Sequence, residues 1–126
     1  MSTLPPFELA HPHTELRRQL VDAVLRGEKI ATPGLLEEYE AEGEQPEPVG
    51  SRCALLGYGD EPVAVVEVTD SRVVPAAEID EQFARDEGEG FETVDDWREA
   101  HERFFGRPIE PETQIVAVRF RVVEQL

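Results

Sequence analysis

Long apolar runs are missing from this chain of 126 residues. No segment approaches the roughly 20 consecutive apolar residues that a bilayer-spanning helix needs. Cysteine is nearly absent. Cys53 stands alone, which excludes an intramolecular disulfide and a cysteine zinc site. The segment from Met1 to His13 carries no basic stretch followed by an apolar one, so it does not read as a secretory signal. With a lone cysteine, the expected home is a reducing cytoplasm. Bases are also scarce: 12 Lys and Arg stand against 28 Asp and Glu, for a formal net charge of -16. Tight, nonspecific binding of long nucleic acid needs clustered Lys and Arg and is disfavoured. Hydrophobic residues at 40% and charged residues at 32% describe a folded domain rather than a disordered tail, and the length fits one domain.

The charge is unevenly placed. Residues 1–36 hold four acids (Glu8, Glu15, Asp22, Glu28) and four bases (Arg17, Arg18, Arg26, Lys29), so they sum to zero. The remaining 24 acids and eight bases lie in residues 37–126. Most of these carboxylates read as a soluble surface. Lys29 is the only lysine, and the other eleven bases are arginine. A site that needs an amine able to lose its proton cannot use guanidinium.

Residues 1–13 read as an irregular, loosely ordered lead-in. A helix is expected from about Thr14 to Arg26, with Thr14 as N-cap, Leu16, Leu20, Val21, Val24 and Leu25 on one stripe, and Gly27 as the stop. Lys29 to Gly34 reads as a loop or short strand, and Leu35 to Glu42 as a short acidic helix ending at Gly43. Arg52 to Leu56 and Val63 to Val68 are β-like, joined by a hairpin connection, with Arg72 to Val74 continuing past a bend. Pro75 opens a helix to about Asp86 that points Ile79 and Phe83 inward. Glu87 to Gly90 breaks it. Thr93 then caps a helix to about Phe105, with Asp96 in a capping-box position and Trp97, Ala100, Phe104 and His101 as its stripe. Val116, Val118, Phe120 and Val122 alternate in the clearest strand of the chain. This order of elements suggests an α+β domain around a small, curved, mostly antiparallel sheet.

Two segments could carry chemistry. In Gly27-Glu28-Lys29-Ile30-Ala31-Thr32, a lysine and a hydroxyl three residues apart converge if the backbone turns between them. Burial disfavours the charged form of a lysine. Its amine could then take the Thr32 proton and make Thr32 a nucleophile. The competing reading is a surface loop with an ordinary Lys and Thr. In Asp86-Glu87-Gly88-Glu89-Gly90, glycines beside carboxylates can leave Glu87 or Glu89 aimed into a cleft as a general acid or base. The competing reading is a solvated helix end. The spacing does not meet that of a calcium loop. His11 and His13 lack a third fixed ligand, so neither a metal nor a cofactor is expected. Tyr39 could stack on a ring.

Taken in order, several segments resemble an ASCH domain, a member of the PUA-like superfamily. They are the G-x-K-x-x-T segment (Gly27, Lys29, Thr32), Leu35-Leu-Glu-Glu-Tyr-Glu-Ala-Glu-Gly43, Pro48-Val-Gly50 and Val65-Val-Glu-Val-Thr69. Phe83-Ala-Arg-Asp-Glu-Gly-Glu-Gly90, Trp97-Arg-Glu-Ala-His101, Phe104-Phe105 and Val118-Arg-Phe-Arg-Val122 continue the series. The resemblance runs from about Leu16 to the C-terminus. It implies a small β-barrel with flanking helices and a cleft lined by the G-x-K-x-x-T segment. Members of the family were proposed to bind RNA. One branch removes the acetyl group from N4-acetylcytidine with a lysine, a threonine and a glutamate, which match Lys29, Thr32 and Glu87; another branch has ribonuclease activity. This chain departs from the deacetylase branch in carrying Gly34 where that branch has an arginine, and in the acidic helix from Leu35 to Gly43.

The expected activity is therefore hydrolysis of an amide on a modified pyrimidine nucleoside, with Gly27, Tyr39 and Glu89 lining the substrate site. The alternatives are an RNA- or nucleotide-binding module using the basic cluster Arg17, Arg18 and Arg26, and a ribonuclease in which Lys29 stabilises phosphate charge. The expected partner is a nucleoside, a nucleotide or single-stranded RNA, and no membrane.

Overall fold

The computed structural model describes residues 4–126. Its first helix, α1 (Glu15–Leu25), starts where a hydroxyl can cap it: Thr14 Oγ1 accepts the Arg17 amide at 3.2 Å. The buried side of α1 carries Arg17, Val21, Ala23 and Val24, while Leu16, expected in the stripe, is exposed. Arg17 takes the inward place because its guanidinium finds acceptors there. Nε donates to Leu9 O at 3.0 Å, Nη2 to Ala10 O at 3.0 Å, and Nη1 to Gly57 O at 3.1 Å and Asp60 Oδ1 at 2.6 Å. A buried guanidinium is tolerated when its donors are paired in this way.

Those bonds fasten the stretch 4–13 ahead of α1, which corrects the expectation of a loose lead-in there; the first three residues of that expected stretch lie outside the described residues. Phe7 and Leu9 belong to the core, and β1 (Pro6–Phe7) pairs in parallel with β3 (Arg52–Leu56). The apolar gain of burying two large side chains outweighs the irregularity that the prolines suggest.

Five strands make one sheet in the order β1-β3-β4-β5-β2, with β2 spanning Ala31–Leu35, β4 Pro62–Pro75 and β5 Gln114–Gln125. Every pairing except β1 with β3 is antiparallel. The α+β class is as expected. Barrel closure is not: among the described residues the strand order ends at β1 and β2, which do not pair. One edge is a two-residue strand, and the other contains Pro33, a residue that edge positions tolerate because it has no amide hydrogen to donate. The two β-like stretches 63–68 and 72–74 form one strand, bent by register shifts at Val65/Val66 and Val68/Asp70.

Both sheet faces are covered. One core joins α1 and the β1 segment to Cys53, Leu55, Val66, Val116, Val118 and Phe120. The other joins Ala31, Leu35, Ile115 and Ala117 to Ile79, Phe83 and Trp97. The expected helix after Pro75 is split into a 3₁₀ turn (Ala76–Glu78) and α3 (Glu81–Asp86). Asp80 Oδ1 accepts the Phe83 amide at 2.9 Å and restarts the helix, yet Ile79 and Phe83 still face inward. After α2 (Leu36–Ala41) earlier in the chain, the last helix is α4 (Val94–Phe105), which carries the Thr93/Asp96 capping box. Its inward side chains are Trp97 and His101; Phe104, expected among them, is 46% exposed. Among the described residues no helix is long and apolar enough to cross a membrane.

Candidate functional site

The turn after α1 swings Lys29 into the protein. The Glu28 and Lys29 amides both donate to Ala23 O, at 2.9 and 3.1 Å, and the Ile30 amide donates to Asp86 O at 2.8 Å. Lys29 is 2% exposed. Its Nζ donates to Ala31 O at 2.8 Å, to Glu87 O at 3.3 Å and to Glu89 Oε2 at 3.5 Å, and stands 4.0 Å from Glu87 Oε1.

Gly88 lets the acidic turn come this close. Its φ is +68°, and a Cβ there would lie 2.4 Å from Glu28 O and 2.8 Å from Lys29 Cα. No larger residue fits that approach. The glycine thus serves the contact between two backbone segments.

Glu87 is fully buried. Its Oε2 accepts the Trp97 indole N–H, and its Oε1 lies 3.1 Å from His101 Nε2. That approach is close enough for an ion pair, and Oε1 has no hydrogen-bonded partner. On the other side of the ring, His101 Nδ1 lies 2.8 Å from Trp97 O. Burial pulls the imidazolium toward its neutral form; Glu87, the Trp97 carbonyl and Glu89 more than reverse this and hold His101 above its ordinary value of 6.5. Burial raises Glu89 above its ordinary 4.5, Glu87 adds to the rise, and Lys29 and His101 oppose it.

These groups line a cavity of about 400 Å³. Of the residues expected from the sequence, Lys29, Thr32, Glu87, Tyr39 and Glu89 all line it. Thr32 is half-buried in β2 and shares the cavity with Lys29, but it is not among the acceptors that Nζ uses. Gly27 is a correction. It is exposed at the end of α1 with φ +80° and lies outside the cavity wall, because the chain turns inward only after it. Gly34 explains its own departure from the arginine expected there: a Cβ at this position would lie 2.8 Å from the Tyr39 ring, so α2 fills with an aromatic the space a side chain would take. The Tyr39 hydroxyl donates to Glu47 Oε1 at 2.8 Å, and burial pushes its pKa up.

Two residues escaped the sequence reading. Trp97 and His101 looked like helix core, and their i, i+4 spacing was the only signal that both reach the same neighbour. Phe104 sits at the cavity mouth with the His11 ring stacked 6.3 Å away. The basic cluster is dispersed: Arg17 is buried, Arg18 lies 4.5 Å over the Tyr58 ring, and Arg26 pairs with Glu28 at 3.0 Å.

Glu87, Glu89 and His101 bring a ligand atom each within 4.8 Å of one another, a spacing that a cation could use. Lys29 Nζ already borders both carboxylates at 4.0 and 3.5 Å, so a side-chain nitrogen stands where a cation would sit. A second depression of about 500 Å³, between α2 and residues 107–114, carries the Arg107–Glu37 pair but no buried ionisable side chain. Chemistry, not size, selects the first cavity.

A two-sided sheet with a buried lysine facing an acidic turn defines a small α+β domain built around one polar cleft. The ASCH domain profile matches residues 9–124, and the chain belongs to the ASCH domain family. Two solved structures share the fold closely. A protein from Enterococcus faecalis assigned to the DUF984 family is 28% identical, with a TM-score of 0.86 over 99% of this chain and 79% of that one. An ASCH domain from Lactobacillus crispatus is 26% identical, with a TM-score of 0.81 over 98% of this chain and 81% of that one. No curated protein matches the chain.

Proposed function

We propose that this ASCH domain hydrolyses an amide carried on a modified pyrimidine nucleoside such as N4-acetylcytidine. The observation that carries the proposal is the meeting of Lys29, Thr32 and Glu87 on the wall of one cavity of about 400 Å³, a volume suited to a nucleoside. Thr32 Oγ1 attacks the acyl carbon, and the Lys29 amine takes its proton. Glu87 gives a proton to the leaving nitrogen as the C–N bond breaks. Water then cleaves the threonine ester, releasing the carboxylic acid and restoring the hydroxyl.

The rim favours a neutral substrate. Glu8 and Glu38 line the same cavity as exposed carboxylates, and phosphate brought beside them meets like charge. Polyanionic RNA finds the expected basic cluster already engaged, with Arg17 wholly enclosed. Purified protein incubated with N4-acetylcytidine should release cytidine, and Lys29→Ala should abolish the release. Equal turnover in that variant overturns the mechanism.

One observation favours a second reading, a nucleoside-binding domain without turnover. Lys29 Nζ bonds to Ala31 O, Glu87 O and Glu89 rather than to Thr32. In that case cytidine binds with ordinary saturation, and N4-acetylcytidine is recovered intact.

A further inference from the structure

The proton count around His101 does not close if every group takes its simplest form. A backbone carbonyl can only accept, so His101 Nδ1, 2.8 Å from Trp97 O, carries a hydrogen. A neutral His101 would then leave Nε2 without a hydrogen, 3.1 Å from Glu87 Oε1. Oε1 is itself a buried acceptor without any donor. Two acceptor atoms with no hydrogen between them at that distance, away from water, repel each other. A proton between them removes both difficulties.

We propose that His101 Nε2 and Glu87 Oε1 hold one proton in common, and that His101 is the positioning residue that keeps Glu87 supplied with it. The inference rests on the amide-hydrolysis reading for its role but not for its existence. Trp97 fixes both partners. Its carbonyl holds Nδ1, and its indole N–H holds Glu87 Oε2, so one residue sets the ring and the carboxylate face to face. The Trp97 ring lies 4.8 Å from the imidazole, with Phe91 at 5.6 Å and Phe105 at 5.9 Å, which keeps water from competing. The titratable groups around the pair are Glu89 and Lys29, the latter 4.0 Å from Glu87 Oε1.

The proton cycle balances. As the C–N bond breaks, the pair's proton passes through Glu87 to the leaving nitrogen, leaving carboxylate and neutral imidazole. The attacking water adds its hydroxyl to the acyl carbon and returns its proton to the pair. The proton held on Lys29 goes back to Thr32. All three groups end as they began.

The test needs no substrate. Imidazole nitrogen spectra of the full chain, labelled with ¹⁵N and recorded across neutral pH, report the proton on each ring nitrogen. His101→Gln assigns the signals among three histidines. Wild-type His101 should keep Nδ1 protonated throughout and titrate at Nε2 above 6.5, its ordinary value. In Glu87→Gln that midpoint should fall by about one pH unit or more, as expected when a touching opposite charge is lost. A wild-type His101 with bare Nδ1, or one neutral below 6.5, overturns the proposal even if Glu87→Gln fails to fold. So does a midpoint unmoved in a folded Glu87→Gln. Absence of cytidine release leaves the shared proton standing, whereas an unprotonated pair leaves Lys29 and Thr32 free to act with another acid. Where turnover is seen, His101→Gln should lower kcat, shift the alkaline limb of its pH profile and spare KM. A variant that loses only stability, with an unmoved profile, denies the supply role.

Discussion

Replacing Gly88 by alanine should damage this protein more than its exposed-looking sequence context suggests. Two costs add. The residue sits at φ +68°, where an L side chain costs about 1–2 kcal/mol. The new Cβ would also lie 2.4 Å from Glu28 O, and backbone cannot swing away as a side chain can. The acidic turn must retreat from the Glu28–Lys29 segment. That retreat breaks the Ile30 amide to Asp86 O bond of 2.8 Å and the Lys29 Nζ to Glu87 O bond of 3.3 Å. At about 1 kcal/mol for each hydrogen bond, the total reaches about 3–4 kcal/mol. Gly90 supplies the control. Its φ is +87°, but nothing lies within 4 Å of its Cβ position, so Gly90→Ala should cost only the conformational share. Urea unfolding of both variants should separate them by about 2 kcal/mol, with similar m-values. Equal losses would refute the idea that the turn is held against Lys29 by this approach.

Arg17→Met should lose about 3–5 kcal/mol in urea unfolding, because Leu9, Ala10 and Gly57 carbonyls and Asp60 lose their donor together, while the exposed Arg18→Ala should cost little. His101 and Glu89 both sit above their ordinary values of 6.5 and 4.5, so the folded state binds more protons than the unfolded chain in that window. Their stabilisation is complete below those values and is lost as pH rises through the folded ones. Thermal melts should therefore show stability falling as pH is raised through and above 6.5, and His101→Gln should flatten the upper part of the decline. Glu8→Gln combined with Glu38→Gln should tighten binding of cytidine monophosphate relative to cytidine, measured by calorimetry; an unchanged ratio would deny the rim any part in selection. A chelator should leave turnover unaltered, since Lys29 Nζ already stands beside Glu87 and Glu89.

Local signals carried much of the fold. Thr14 and the Thr93/Asp96 pair are hydroxyl and carboxylate caps whose bonding partners lie three residues away, so sequence alone exposes them. The strand from Gln114 to Gln125 announced itself through alternation, although its buried Ile115 and Ala117 show that both faces are covered. What stayed hidden depended on partners far along the chain. Arg17 displaces Leu16 from the core side of α1 only because Gly57 and Asp60 arrive 40 and 43 residues later. Phe7 and Leu9 are core because that same guanidinium holds their segment in place. Barrel closure could not be read off strand content, since it depends on whether two edges meet. In the site, family likeness singled out Lys29, Thr32 and Glu87, three residues that share the wall of one cavity. The Trp97 clasp on both His101 and Glu87 joins two helices' ends through side-chain reach, which periodicity does not encode.

The most direct measurement of the proposed chemistry is intact-protein and peptide mass spectrometry of enzyme quenched during exposure to N4-acetylcytidine. The expected result is an acetyl group on the peptide containing Thr32, absent in Thr32→Val, together with loss of cytidine release in that variant. Cytidine release that persists in folded Thr32→Val, without any acetylated intermediate, would contradict the assignment of Thr32 as nucleophile.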